Sequence, residues 1–204
     1  MIAVIDLKMG NLGSILNMLK RTGSDSIITC DAVEIARAEK IILPGVGSFD
    51  RAMKSLVDLG LTGVLNERVM KFKTPVLGIC LGMQIITKSS EEGVLPGLGW
   101  IDANTVKFKF NGRQDNLKVP HMGWNTIEIK NDSPLLSGMP EDMRFYFAHS
   151  YHVLCGRKED IVATTGYGYD FVSIFKHDNI TGVQFHPEKS HTFGRKLLDN
   201  FIGM

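Results

Sequence analysis

The sequence predicts an α/β fold with a mostly parallel central sheet, flanking helices and added antiparallel strands. The first half alternates short runs rich in Ile, Val and Leu with segments of helical periodicity. This alternation is typical of βαβ units whose sheet is covered on both faces. The second half has shorter, often alternating runs, which indicate antiparallel strands. No linker divides the 204 residues, so a single domain over residues 1–204 is predicted.

The individual elements follow from apolar runs and from the spacing of apolar residues. Apolar runs in the first half predict strands at residues 1–5, 26–29, 40–43 and 75–79. Helical spacing predicts helices at residues 12–19, 49–59, 65–73 and 81–88, the first of them terminated by Gly23. In the second half, strands are predicted at residues 105–110, 125–129, 144–148 and 180–185, before a closing helix at residues 193–202.

Charge and composition exclude several classes of protein. The 23 Lys and Arg residues balance the 22 Asp and Glu residues to a net charge of +1. Such a chain has no field that would attract nucleic acid or an anionic membrane surface. No apolar run approaches the roughly 18 residues that cross a bilayer. The cysteines Cys30, Cys80 and Cys155 are an odd number without paired spacing, so we expect a reducing, cytoplasmic setting.

Cys80 is the first candidate for chemistry. It lies at the centre of Gly78-Ile79-Cys80-Leu81-Gly82, between a predicted strand and a predicted helix. A nucleophile on such a tight turn, with a glycine two residues away on each side, has the form of a nucleophile elbow. The N-terminus of the predicted helix carries a partial positive charge, which favours the thiolate form of Cys80. The alternative is a buried cysteine in a glycine-containing turn. Cys30 and Cys155 have no glycine frame and are predicted to be core residues.

His186 has the best setting for a base among the six histidines. It follows the predicted strand at residues 180–185, and Glu188 comes two residues later. In an extended backbone these two side chains project to the same side, so the carboxylate can orient the imidazole. A surface pair or half of a metal site is the alternative, but no third ligand stands at suitable spacing and no metal is expected. The roles of His121 and His149 stay open.

The segment Pro44-Gly45-Val46-Gly47 follows the third predicted strand. Its glycines permit unusual backbone angles. Backbone N–H groups of this loop, with that of Leu81, can form an oxyanion hole for a tetrahedral intermediate. An ordinary strand-to-helix turn is the alternative interpretation.

Residues 75–84 around Cys80 and residues 184–190 around His186 together strongly resemble the class I, triad-type glutamine amidotransferases. Both segments fall in the order and separation of that family, and the resemblance extends along nearly the whole chain. Residues 44–47, 120–125 and 145–151 are similar to the glutaminase subunits of the histidine pathway. Those subunits pass ammonia to a separate (β/α)8-barrel cyclase subunit.

The resemblance implies a role for each matching residue. Cys80 would be the nucleophile, His186 the general base and acid, and Glu188 the orienting carboxylate, with glutamine as substrate and no cofactor. The implied oxyanion hole consists of Val46, Gly47 and Leu81. The implied glutamine-binding residues are Gly47, Gln84, Ser150 and Tyr151. The residues implied to face the cyclase are Asn11, Met122, Trp124, Asn125, Tyr146 and Lys189.

The N-terminal segment departs from the family pattern Asp-Tyr-Gly-x-Gly-Asn. Leu7 replaces the tyrosine and Lys8 replaces a glycine, in a loop expected at the partner surface. Paralogous glutaminase subunits, which feed ammonia to sugar-amidating synthases of surface polysaccharides, share the triad and are an alternative. A free-standing Cys-His hydrolase, which needs no partner, and a protein that only binds and stabilises a partner are two further alternatives.

Overall fold

The computed structural model describes residues 1–10, 12–110 and 117–204. Its parallel strands are β1 (Ile2–Ile5), β2 (Ser26–Thr29), β3 (Lys40–Gly45), β4 (Val76–Cys80) and β12 (Ile180–Val183). These strands lie in the order β2-β1-β3-β4-β12, with every neighbouring pair parallel. They form part of a sheet that has ten strands among the described residues. The predicted fold class, an α/β fold with a mostly parallel central sheet and added antiparallel strands, is confirmed.

The parallel strands are buried on both faces, which explains their content of Ile, Val and Leu. Ile2 and Val4 of β1 pack into one apolar cluster, whereas Ala3 and Ile5 pack into a second cluster. Successive side chains of a strand point to opposite faces, so the two clusters lie on the two sides of the sheet. Burial on both sides requires helices on each face.

Antiparallel strands extend the sheet beyond β12. They are β5 (Ala103–Lys107), β7 (Glu128–Ile129), β9 (Tyr151–Cys155), β10 (Ile161–Tyr167) and β11 (Tyr169–His177), whereas β6 (His121–Thr126) and β8 (Arg144–His149) lie outside it. Strand β11 pairs with β12, β10 and β9; β5 continues from β9 and β7 from β10. Strands β6 and β8 form a two-stranded sheet of their own.

The helices are α1 (Leu12–Arg21), α2 (Ala32–Arg37), α3 (Phe49–Asp58), α4 (Leu61–Asn66), α5 (Leu81–Ile85) and α6 (His191–Gly203). A π-helical turn, Glu67–Lys71, continues α4. Helix α2 begins at a capping residue, Asp31, whose carboxylate accepts hydrogen bonds from the backbone N–H groups of Val33 and Glu34. Within the described ranges, no helix is both long enough and apolar enough to cross a membrane.

Several elements differ from the sequence-based expectation. The strand predicted at residues 105–110 is β5 at Ala103–Lys107, the helix predicted at residues 81–88 ends at Ile85, and β9, β10 and β11 were not predicted individually. The helix predicted at residues 65–73 begins at Leu61 and changes to π-helical geometry after Asn66. The strand predicted at residues 125–129 is divided between β6 and β7, because Ile127 between them turns inward and is only 7% exposed. Helix α2 was not predicted, since its six residues bury one side chain, Ile35, and therefore carry no periodic apolar signal.

The strand register defines one edge of the sheet at which several loops meet. Gly45 of β3 lies beside Cys80 of β4, and Val183 of β12 lies beside Ile79. The residues that follow these three parallel strands therefore emerge side by side. In open parallel sheets, ligands bind at this carboxyl edge.

Candidate active site

Cys80 ends β4 at a strained turn, and α5 begins at the next residue. Its backbone angles are φ 53° and ψ −109°, a conformation that non-glycine residues rarely adopt. Gly82 permits the turn, because a Cβ atom there would lie 1.6 Å from the carbonyl oxygen of Leu43. The turn has the geometry of a nucleophile elbow, and it brings the Cys80 side chain to the carboxyl edge of the sheet.

A cavity of about 390 Å³ opens at this edge, which is a usual size for a small-molecule site. Residues that are far apart in the sequence meet in its lining. Of the candidate site residues, those that line it are Val46, Gly47, Cys80, Leu81, Gln84, Met122, Ser150, Tyr151, His186 and Lys189. The structure therefore brings the predicted nucleophile, base and glutamine-binding residues into one cavity.

Glu188 lies behind His186 and fixes its ring. The Nδ1 atom of His186 donates a hydrogen bond to Oε1 of Glu188 at 2.8 Å. The two side chains are 3% and 8% exposed. A carboxylate only accepts hydrogen bonds, so Nδ1 carries a proton and Nε2 is the nitrogen that remains for proton transfer.

The charge state of His186 suits a thiol partner. Burial alone would lower its pKa, but hydrogen bonds and charges from Cys80 and Glu188 outweigh burial and raise the pKa from 6.5 to about 10. Imidazolium is therefore the stable form at neutral pH. A cationic histidine next to a cysteine favours the thiolate, which is the nucleophilic form.

We expect Glu188→Gln to lower the pKa of His186, because the substitution removes one of the two groups that raise it. The folded-state pKa lies above 6.5, so the charged ring stabilises the fold fully below that pH. This stabilisation is lost as the pH rises through about 10. In the variant the loss should occur at lower pH. Histidine NMR titration and urea unfolding at several pH values measure both effects.

The matched control for this variant is Asp160→Asn. Asp160 accepts a hydrogen bond from Nδ1 of His177 at 3.0 Å, in a second histidine–carboxylate pair outside the cavity. Its removal should leave the titration of His186 unchanged. An unchanged His186 titration in Glu188→Gln would contradict the orienting role of Glu188.

The other two thiols differ from Cys80. Cys30 and Cys155 are free and half-buried, and both pack against the core without being enclosed in it. Burial raises the pKa of Cys155 to about 12, which keeps it a neutral thiol. Neither residue lines the cavity around Cys80.

Sequence reasoning missed Gln184, a fully buried side chain beside the nucleophile. Its Nε2 donates a hydrogen bond to Sγ of Cys80 at 3.8 Å, and its Oε1 accepts one from Nε2 of Gln84 at 3.1 Å. The amide is thus held with its donor end toward the sulfur. A signal existed in the sequence, because Gln184 lies two residues before His186, where side chains of an extended segment share a side.

Glu92 was also missed. It lines the cavity, and its Oε2 accepts a hydrogen bond from the backbone N–H of Phe49 at 2.8 Å. A carboxylate at this place suits a ligand that carries an ammonium group. No sequence pattern marked Glu92, because it lies in a loop whose position depends on its contact with α3.

The residues predicted to face a partner cluster on β6 and near the cavity. Met122 and Trp124 are large apolar side chains with 64% and 44% exposure, and the Trp124 ring stacks on His191. The Nζ atom of Lys189 lies 5.5 Å from the ring centre of Tyr146. Asn125 is half-buried and hydrogen-bonded. The candidate Asn11 lies outside the described residues.

The departure at Lys8 has a structural consequence. Lys8 has φ 58°, so a lysine occupies the left-handed conformation that favours glycine. Asp6 supports it, since its carboxylate accepts hydrogen bonds from the backbone N–H of Lys8 at 2.7 Å and from Nζ at 2.9 Å. Leu7 is 1% exposed and therefore packs in the core and does not face a partner.

Known proteins resemble this chain along its full length. The family described as "Glutamine amidotransferase class-I" matches residues 3–204. The chain is similar to "Imidazole glycerol phosphate synthase subunit HisH 2" of Methanococcus maripaludis, with 55% identity over 99% of this chain and 98% of the relative. It is also similar to the protein of the same name from Pseudomonas aeruginosa, with 49% identity over 99% and 98%.

A solved structure supports the fold alone. A glutamine amidotransferase from Thermotoga maritima superimposes with a TM-score of 0.67 at 17% identity. The match covers 98% of this chain and 95% of the other.

Proposed function

The chain belongs to the class I glutamine amidotransferase family, and from this premise we propose that it is the glutaminase subunit of an imidazole glycerol-phosphate synthase. It hydrolyses glutamine to glutamate and passes the ammonia to a cyclase subunit in histidine biosynthesis. The two relatives that match 99% of the chain support this assignment. The observation that carries the chemistry is Cys80 on its elbow, in one cavity with His186, whose Nδ1 is held by Glu188.

The reaction proceeds through a thioester on Cys80. The thiolate sulfur attacks the side-chain amide carbon of glutamine and forms a tetrahedral intermediate. His186 gives its Nε2 proton to the departing nitrogen, and ammonia leaves as the C–N bond breaks. His186 then takes a proton from water, which attacks the thioester carbon and releases glutamate and the thiolate. Glu188 keeps the imidazole in the orientation that both proton transfers need.

The oxyanion of the tetrahedral intermediate is stabilised by backbone N–H groups of Val46, Gly47 and Leu81. The position of Leu81 supports this role, because Leu81 is the first residue of helix α5 and the first N–H groups of a helix have no partner within it. Gly47 supports it because its φ of 110° lies in a region open mainly to glycine. The loop can therefore change its peptide orientation at low cost.

The glutamine substrate is held by Gly47, Gln84, Ser150 and Tyr151. All four line the cavity that holds Cys80, which supports their assignment. We add Glu92 to this set, because a carboxylate in the cavity can pair with the α-ammonium group of the substrate.

The partner is a (β/α)8-barrel cyclase that docks over β6 and the mouth of the cavity. It uses the ammonia to form imidazole glycerol phosphate and an aminoimidazole carboxamide ribotide. The exposed Met122 and Trp124 support this surface, since large apolar side chains at the surface are typical of interfaces. The remaining proposed contacts are Asn11, Asn125, Tyr146 and Lys189.

We further propose that residues 1–204 form one domain, that the reaction needs no cofactor or metal, and that the protein works in the cytoplasm. The triad chemistry uses only groups of the chain and water. The family match over residues 3–204 supports a single domain.

One observation, the departure from the family pattern at Lys8, favours a second candidate, the paralogous glutaminase of a sugar-amidating synthase. The lysine at position 8 adds a cation to the N-terminal loop. Both candidates share the same glutaminase chemistry and differ in the partner.

Reconstitution distinguishes the candidates. The purified chain is mixed with the histidine-pathway cyclase of its own organism, and glutamine-dependent imidazole glycerol phosphate is measured, with ammonium chloride as the control nitrogen source. We expect slow glutamine hydrolysis by the chain alone and rapid hydrolysis in the complex. In parallel, the same assay uses any paralogous cyclase-like protein of the organism.

The outcomes separate the assignments. Stimulation by the paralogue alone would replace the histidine pathway with sugar amidation. Full turnover of glutamine or peptide amides without any partner would contradict a role within a synthase complex, in favour of a free-standing hydrolase.

A further inference from the structure

A row of hydrogen bonds joins the proposed partner surface to the glutamine pocket. On β6, Nδ2 of Asn125 lies 3.3 Å from Nε2 of His121. Nδ1 of His121 lies 3.0 Å from Nε2 of His149, and Nδ1 of His149 lies 2.7 Å from the carbonyl oxygen of Tyr151. We call these four residues the β6 relay. The two histidines are those whose role the sequence left open.

The direction of every hydrogen bond in the β6 relay follows from the acceptor at its end. The Tyr151 carbonyl only accepts, so Nδ1 of His149 carries a proton. In a neutral ring Nε2 is then an acceptor, so Nδ1 of His121 must donate to it. By the same argument Nε2 of His121 accepts, and Asn125 donates. Each residue therefore donates toward the pocket.

Two further hydrogen bonds independently fix the orientation of the Asn125 side-chain amide, with its NH2 group toward His121. Nδ2 of Asn125 also donates to the carbonyl oxygen of Gly166 at 3.1 Å, and Oδ1 accepts from the backbone N–H of Thr126 at 2.9 Å. The amide of Asn125 cannot rotate without loss of both bonds. It presents a donor to His121.

Burial keeps both rings neutral. His121 and His149 are 4% and 5% exposed. Burial lowers the pKa of His149 to about 3 and that of His121 to about 4. The other titratable groups that bear on His149 are His152 and His186, and both act to lower its pKa further.

Aromatic neighbours hold the first ring in place. The His121 ring stacks on Tyr167 with 4.1 Å between ring centres, and on Phe147 with 4.9 Å. These two contacts fix the orientation of the ring, so the position of His121 on β6 determines where its Nδ1 donor meets His149.

At the far end, the Tyr151 carbonyl is shared with the catalytic residues. It also accepts a hydrogen bond from Nε2 of Gln84 at 3.0 Å. The same Nε2 donates to Oε1 of Gln184, whose own Nε2 donates to Sγ of Cys80. The Tyr151 carbonyl oxygen therefore accepts one hydrogen bond from the β6 relay and one from Gln84. Gln84 is connected through Gln184 to the sulfur of Cys80.

We propose that His121 and His149 are positioning residues that set the glutamine pocket from strand β6, and that a partner on β6 stimulates the glutaminase through them. This inference rests on the proposed function. It adds a route by which a contact at the surface reaches Tyr151 and Gln84. Neither histidine exchanges a proton with the substrate; they act by orientation.

The test uses His121→Phe, which keeps an aromatic ring between Tyr167 and Phe147 but removes the donor to His149. His149 then keeps its Nδ1 proton on the Tyr151 carbonyl, but its buried Nε2 acceptor is left without the donor that held it. His121→Asn is the rescue variant, because its side-chain amide restores a donor near the Nδ1 position. Thr126→Ala, an exposed change on the same strand, is the matched control.

The readout is the labelling of Cys80 by two reagents, followed by mass spectrometry on the full chain with and without the cyclase. The glutamine analogue 6-diazo-5-oxo-norleucine needs an intact pocket, whereas iodoacetamide needs only a reactive thiol. We expect His121→Phe to slow labelling by the analogue about tenfold, as for an unpaired buried polar group. Iodoacetamide labelling should stay within about twofold of the wild-type rate. An unchanged rate also shows that the site around Cys80 is still folded in the variant.

The cyclase should accelerate analogue labelling of the wild type and of Thr126→Ala, but not of His121→Phe. His121→Asn should recover most of the response. Nitrogen-15 NMR of the wild type should show both histidines as neutral rings with the proton on Nδ1.

Equal analogue labelling of His121→Phe and wild type, or a proton on Nε2 of His149, would overturn the inference alone. A wild-type chain that iodoacetamide labels and the glutamine analogue does not would contradict the proposed glutaminase itself, and the inference with it.

Discussion

Cys80→Ala should reduce glutamine-dependent product formation by the reconstituted complex by about 10⁴-fold or more, the loss seen when a triad nucleophile is removed. The sulfur is the atom that forms the thioester, and no other side chain described at the cavity can replace it. Product formation from added ammonium chloride should persist, because that reaction bypasses the glutaminase. Both activities are measured in the same preparation.

Cys155→Ala is the matched control for the nucleophile. Burial raises the pKa of this thiol to about 12, so it is neutral at working pH, and it lies away from the cavity. Its removal should leave both nitrogen sources active. Loss of the ammonium-dependent reaction in Cys80→Ala would mean that Cys80 also supports the complex, and the assignment to glutamine chemistry alone would fail.

Gly82→Ala should have the largest effect on stability. The added Cβ would lie 1.6 Å from the carbonyl oxygen of Leu43 and 2.7 Å from its carbonyl carbon. Both are backbone atoms of β3, so neither can turn aside as a side chain does. We expect the free energy of unfolding to fall by about 3 kcal/mol or more, the upper end of the cost of overpacking. Urea unfolding measures this loss.

Gly63→Ala provides the control for a glycine in helical surroundings. Apart from the adjoining residues and backbone of α4 itself, no heavy atom of the described residues lies within 4 Å of the Cβ that this change would add. Alanine is favoured over glycine inside a helix by roughly 0.5–1 kcal/mol, so this variant should be as stable as the wild type or more so. Wild-type stability in Gly82→Ala would show that β3 and α5 can separate, and the close-packed elbow would then be wrong.

The sequence determined the parallel core and the centre of the candidate site. Strands buried on both faces need continuous apolar runs, and such runs are visible without any tertiary information. The same holds for Cys80, since the glycines at 78 and 82 mark a tight strand-to-helix turn in the sequence, although the atom that Gly82 must avoid, the Leu43 carbonyl oxygen, lies on another strand. His186 and Glu188 were found because residues two apart share a side in an extended backbone. The structure keeps the pair but places Glu188 in a 3-10 turn, Pro187–Lys189.

Local signals were too weak elsewhere. Helix α2 has one buried side chain, Ile35, and its start depends on the capping carboxylate of Asp31. The change from α4 to a π-helical turn after Asn66 leaves no mark in apolar spacing. The division of residues 125–129 between two sheets depends on which partner strands are present.

Only the tertiary structure decided how the remaining polar groups are used. Gln184 meets the sulfur of Cys80, which lies 104 residues away in the chain. His121 of β6 contacts His149, which lies 28 residues away in the chain on β8, the other strand of the two-stranded sheet. A hydrogen bond depends on distance and direction to within a few tenths of an ångström, and residue type and spacing do not encode these quantities. The sequence determined which chain atoms can react, and the fold decided which buried donors and acceptors hold them in place.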